Sequence, residues 1–161
     1  MKEKKEMLQS GFSLIELVIV ITIIGILSAV ALSKYINIQS QARTAKADAV
    51  YGAVRTAADL AKASCIIDVA GVSQNPTCTA TGGTANMDGT AVAMVNEYPD
   101  ASLVGIIAAT QLNPATDNIT VTAGNPLTID ITGGTIPDCR VSYTAALAGS
   151  APVVTLTTSG C

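Results

Sequence analysis

The sequence predicts an α+β fold, in which the lower half of a long amino-terminal helix crosses a membrane and its upper half packs on a four-stranded antiparallel sheet. Three observations predict it. An apolar run extends from Phe12 to Leu32, a Pro-free and Ala-rich segment continues the helical pattern to about Ser64, and four β-branched runs separated by Gly, Asn and Pro follow residue 117. The chain has 161 residues, so one modest domain remains outside the membrane.

The apolar run is long enough to span a bilayer core of about 30 Å as a helix. Before it stand Lys2, Lys4 and Lys5 with Glu3 and Glu6. Such a short basic stretch stays on the cytoplasmic side, which sends everything after Leu32 outward. In "SKYINIQSQARTAKADAVYGAVRTAADLAKAS", Ala42, Ala45, Ala49, Ala53, Ala57 and Leu60 recur at steps of three or four, widened by Val50 and Val54. Arg55 with Asp59, and Asp59 with Lys62, support the opposite, solvated face. A helix from Phe12 to Ser64 would be on the order of 80 Å long. That is too long for a small globular domain, so its upper part is expected to pack and its lower part to leave.

After Cys65 the segment "DVAGVSQNPTCTATGGTANMDGT" reads as turns, and "DASLVGIIAATQL" as a short helix with Leu103, Ile106, Ile107 and Leu112 to one side. "NITVTA", "LTIDIT", "RVSYTA" and "PVVTLTT" read as the four antiparallel strands.

The four cysteines, Cys65, Cys78, Cys139 and Cys161, have no C-x-x-C spacing, and the chain has no His, so disulfides rather than zinc are expected beyond the membrane. Three pairings exist. Cys65–Cys78 and Cys139–Cys161 each close a local loop and are the favoured pair. No enzyme is legible, because His, G-x-S-x-G, the P-loop and H-E-x-x-H are all missing. Asp59 and Glu97 are solvated charges rather than an acid/base couple. No cofactor or metal is expected, and sparse positive charge argues against nucleic acid.

Glu16 is the difficulty, since an acid at the centre of a membrane helix costs roughly 2.5–3.5 kcal/mol and less near an end. A secretory signal peptide cut after "AVA" at 29–31 leaves it unexplained, because the run is long and helical character continues through the cut. A plain membrane anchor also leaves it unexplained. Cleavage between Gly11 and Phe12 explains it: the new α-amine lies four residues before Glu16, and a neighbouring subunit shifted along the axis can pair its Glu16 with that amine.

"GFSLIELVIVITIIGILSAVAL" after a short basic leader resembles the signal of type IV pilins. "PDCRVSYTAA" with "TSGC" resembles the disulfide-bounded closing segment of type IVa pilins, and "GTAVAMVNEYPDASLVGI" is similar to proteobacterial pilins, including the mannose-sensitive haemagglutinin type. The resemblance implies a structural pilus subunit held in the inner membrane before assembly and in an extracellular pilus afterwards. It implies a leader (residues 1–11) removed by a prepilin peptidase that also methylates Phe12, a transmembrane and filament-core helix (12–32), and a head (33–161) made of the amphipathic helix and the sheet. Its implied partners are further copies in a helical homopolymer, the inner-membrane assembly machinery, minor pilins and a surface receptor. It also implies that the helix loses regularity near Gly25 and Ser28 in filaments, with Ser33 where Pro is common. The rival readings are a minor pilin or type II secretion pseudopilin, and a membrane-anchored or secreted ligand-binding domain.

Overall fold

The computed structural model describes residues 12–72 and 76–161; the leader, with Gly11, lies outside the described residues. The chain divides into two units, Met1–Gln39 and Ser40–Cys161. A single helix, α1, runs from Leu14 to Val69. No Pro interrupts it, and Ala, Leu, Lys and Arg populate it, all good helix formers. It outlasts the expected end at Ser64 by more than one turn.

The carboxy-terminal sheet agrees with the sequence reading. Strands Ile119–Thr122, Leu127–Ile131, Arg140–Thr144 and Val153–Thr157 pair antiparallel in chain order, with Ile129 opposite both Val121 and Val141, and Tyr143 opposite Val154. Alternate residues point inward, so Leu127, Ile129, Ile131, Val141 and Tyr143 are buried. They meet Ala47, Val50, Val54 and Ala58 of α1 in the larger core. On the other face Asp130 lies opposite Arg140, whose guanidinium holds both carboxylate oxygens at 2.7 and 3.1 Å.

Two expectations are corrected. The buried stripe of α1 is Ala47, Val50, Val54, Ala57, Ala58, Ala61 and Cys65, whereas Ala42, Ala45 and Ala49 are exposed and Leu60 is 63% exposed. Ala lies on every side of this helix, so two faces show the same period; the face bearing Val50 and Val54 and ending at a bonded cysteine is the one that packs. The segment read as turns holds the strand Gly82–Met87, which pairs with Thr90–Val95 and, through it, Tyr98–Pro99 in a second, three-stranded antiparallel sheet that the sequence reading does not include. Its Ala85, Val92 and Met94 pack with Ala57, Ala61, Cys65 and Cys78 in the smaller core.

The expected short helix is present but irregular. A wide helical turn, Leu103–Ile107, is broken at Gly105 (φ −97°, ψ −107°) and leads into a short α2, Ala108–Thr110. Ile106 and Ile107 are buried, while Leu103 faces outward. A Cβ on Gly105 would lie 2.2 Å from the Asp100 carbonyl oxygen, so the path there requires glycine.

Candidate functional site

In the first unit every side chain from Phe12 to Gln39 is exposed, and Phe12 itself is 81% exposed. α1 is long and apolar enough to cross a membrane, and the apolar window that passes this test has none of its residues buried. A soluble surface rarely carries a continuous apolar area of this extent, which marks it for lipid or for other chains.

Phe12 and Glu16 lie at the start of α1. Ser13 caps it: the Glu16 N–H donates to Ser13 Oγ at 3.2 Å, and the Leu17 N–H to the Ser13 carbonyl at 3.2 Å. Ser13 and Glu16 therefore stand at the spacing of a capping box, with the carboxylate in the first turn, where the helix dipole favours negative charge. The S-x-x-E pattern was legible in "SLIE" and gives Glu16 a local compensation that the assembly argument alone overlooks. Further along, Thr22 Oγ1 donates to the Ile19 carbonyl at 2.8 Å and Ser33 Oγ to the Val30 carbonyl at 3.1 Å, so both hydroxyls are satisfied within the helix. α1 is unbroken through Gly25, Ser28 and Ser33.

The second unit holds the cysteines in two bonds, Cys65–Cys78 and Cys139–Cys161. The first ties the end of α1 to the segment before the three-stranded sheet. The second lies in the larger core, where the Ile131 N–H donates to the Cys139 carbonyl at 3.1 Å.

Basic side chains of α1 anchor distant loops. Arg43 Nε donates to the Cys161 carbonyl, and Lys46 Nζ to the carbonyls of Asp117 and Asn118. Lys62 Nζ donates to Tyr98 Oη at 3.0 Å and lies 4.5 Å from that ring's centre, rather than making the ion pair with Asp59 that spacing suggests. The hydrogen bond to Tyr98 raises the Lys62 pKa, and the bond to Asp130 raises that of Arg140. Burial pushes the Tyr143 phenol up; its hydroxyl donates to the Pro99 carbonyl at 2.7 Å.

An amino-terminal apolar helix headed by an acid, continuing into a disulfide-bonded α+β head, defines the pilin class of filament subunits. Residues 7–32 match the prokaryotic N-terminal methylation motif. The chain is 34% identical over 151 residues to Fimbrial protein Q of Moraxella bovis, covering 89% of this chain and 88% of that protein. It is 53% identical over 47 residues to the type IV narrow pilus major component PilA5 of Thermus thermophilus, covering 29% of this chain and 40% of that one. It is 41% identical over 61 residues to the type IV major fimbrial protein FimA of Dichelobacter nodosus, covering 38% and 36%. No solved structure matches.

The chain belongs to the type IV pilins. It is accordingly a structural, non-enzymatic filament subunit, anchored in the inner membrane before assembly and extracellular afterwards. Self-polymerisation and processing by a prepilin peptidase at the methylation motif follow from the family. The relatives named as a type IV pilus major component and a type IV major fimbrial protein do not favour the pseudopilin reading.

Proposed function

We propose that residues 12–32 span the inner membrane before assembly and become the filament core afterwards, with 33–161 as the outer head. The peptidase cuts between Gly11 and Phe12 and methylates the Phe12 amine. Glu16 of one subunit pairs with the Phe12 amine of a neighbour, and this pair fixes the axial register of a helical homopolymer. One observation carries the reading: from Phe12 to Gln39 every side chain is exposed, most are apolar, and Glu16 and Lys34 are the charges among them.

Leaving lipid supplies little hydrophobic gain, so close packing and the charge pair provide the association free energy. A charge buried without its partner is expensive, which turns the pair into a filter against misaligned subunits. The two disulfides hold the head together outside the cell. The inner-membrane assembly machinery and minor pilins act on the helix end of the subunit. A surface receptor meets the loops of the head, where the filament serves adhesion, motility or uptake.

Intact mass of the subunit from sheared surface fibres tests this reading. A chain starting at Phe12 with one added methyl group supports it. A chain starting at Leu32 establishes ordinary secretory cleavage and rejects it.

A further inference from the structure

The turn between the second and third strands of the three-stranded sheet contains Asn96 and Glu97, both left-handed, at φ 50° and 70°. Two-residue hairpin turns of this kind favour glycine at the second position, because a Cβ there is strained. Here a glutamate occupies it. Glu97 lines a cavity of about 660 Å³, together with Lys62, Thr81, Asn96, Tyr98 and Ser150. That volume lies within the range of small-molecule sites.

The cavity wall is held in place. Asn96 Nδ2 donates to the Ala146 carbonyl at 2.9 Å, which fastens the segment carrying Ser150 to the turn carrying Glu97. Lys62 is fixed by Tyr98 Oη and by the ring beneath it, and two of its three donors remain free of that bond. Lys62 and Glu97 do not form an ion pair, since the one salt bridge among the described residues joins Arg140 to Asp130. Opposite charges thus face the same space without closing on each other.

We propose that this cavity is a binding site for a neutral saccharide unit. The Lys62 ammonium donates to sugar oxygens, the Glu97 carboxylate accepts from sugar hydroxyls, and the Thr81 and Ser150 hydroxyls do either. The two formal charges cancel, so nothing selects a phosphate or a carboxylate. A single carboxylate does not make a divalent-cation site, and the described residues contain no cluster of metal-ligating side chains. Occupancy does not depend on polymerisation, so the inference stands or falls apart from the filament reading.

The experiment uses the full chain in detergent micelles and saturation-transfer NMR with free glucose, galactose, mannose, N-acetylglucosamine and N-acetylgalactosamine. N-acetylneuraminic acid and inorganic phosphate serve as anionic comparisons. Transfer to at least one neutral sugar is expected, with apparent affinity about tenfold weaker in Glu97→Gly and in Lys62→Met and unchanged in Asp88→Asn. Glu97→Gly relieves the turn and should melt no lower than the parent, so its loss of binding is not unfolding. Glu97→Gln, which keeps the Cβ, gives a second reading of the same carboxylate. The proposal is overturned if no neutral sugar receives saturation, if only the anions bind, or if binding survives both Glu97 variants undiminished.

Discussion

Arg43 Nε donates to the carbonyl oxygen of Cys161 at 2.5 Å, joining residues 118 apart in sequence. Cys161 is bonded to Cys139, and the Cys139 carbonyl accepts from Ile131 of the four-stranded sheet. Helix, sheet and closing segment are therefore tied at one point, and the tie is only as good as the disulfide that keeps Cys161 there.

That dependence makes the two contributions non-additive. Cys161→Ser should lower head stability by about 3 kcal/mol, the chain-entropy value for a loop of this size. Arg43→Met in the parent should cost about 1.5–3 kcal/mol for a hydrogen bond from a charged donor. In the Cys161→Ser background the arginine change should cost almost nothing, because the closing segment frays and the acceptor is already lost. Urea unfolding of the four variants, followed by circular dichroism, measures the coupling; simple additivity would show that Arg43 and Cys161 act separately.

Glycines give a contrast that tests the backbone path. In Gly134→Ala the new Cβ would fall 2.5 Å from Cys139 Cβ and 2.8 Å from its Sγ, and in Gly105→Ala 2.2 Å from the Asp100 carbonyl oxygen. Both should destabilise by roughly 2 kcal/mol or more, as overpacking of a fixed site does. Gly52→Ala adds a methyl with nothing within 4 Å on a regular helix and should stabilise by up to about 1 kcal/mol. Melting temperatures of the three single variants should move in those opposite directions.

The four-stranded sheet was legible because its strands alternate, and the helix because it lacks Pro and its apolar residues recur at steps of three or four, although Ala on every side left its packed face ambiguous. "LTIDI" and "RVSYT" alternate, and the buried apolar members are those the alternation selects; Asp130, off that pattern, is also buried and is held by Arg140. The other sheet is hidden because "GGTANM" is small and Gly-rich and reads as turn, while "TAVAMV" is short and mostly small residues and carries no strand reading of its own; Asp88-Gly89, at φ 50° and 82°, is the available hairpin signal. At the candidate site Glu16 stood out as a lone charge, and Ser13 was overlooked although the capping spacing was present. The cavity beside Glu97 could not be read at all, since its walls come from four separated segments. The strained backbone of a non-glycine turn residue such as Glu97 arises only in the folded turn.

Alkaline unfolding should carry the signature of Tyr143. Its folded-state pKa is raised by burial, so the stabilising difference is fully present below the unfolded value near 10 and is lost as pH climbs above it. In that window the unfolded chain binds fewer protons than the folded one, and unfolding becomes easier with each step in pH. Lys62, also raised, acts in the same sense above its ordinary value of 10.5. Tyr143→Phe should be less stable at pH 7, because the buried Pro99 carbonyl loses its donor at a cost of about 1–3 kcal/mol. It should also show a shallower fall between pH 10 and 12. An unchanged slope would mean that Tyr143 ionises without hindrance in the folded head.

Glu16→Ala should separate assembly from every earlier step. It removes the only charged residue between Glu6 and Lys34, so insertion should be unharmed or slightly improved. The helix start survives as well, since Ser13 Oγ accepts from the backbone N–H of residue 16, which alanine retains. Cleavage should persist, as the scissile bond lies four residues before Glu16 in the sequence. What fails is polymerisation: each Phe12 amine would enter the core without its carboxylate, leaving an uncompensated buried charge that costs several kcal/mol per subunit. Ser13→Ala is the control that breaks the local cap and keeps the acid; it should weaken the first turn by about 1 kcal/mol and still give fibres. Fibre yield and the cleaved membrane pool should be measured together in the same strains. Fibres lost in Glu16→Ala but present in Ser13→Ala, with both pools stable, locate the requirement in the carboxylate, whereas normal fibres from Glu16→Ala would refute the pairing.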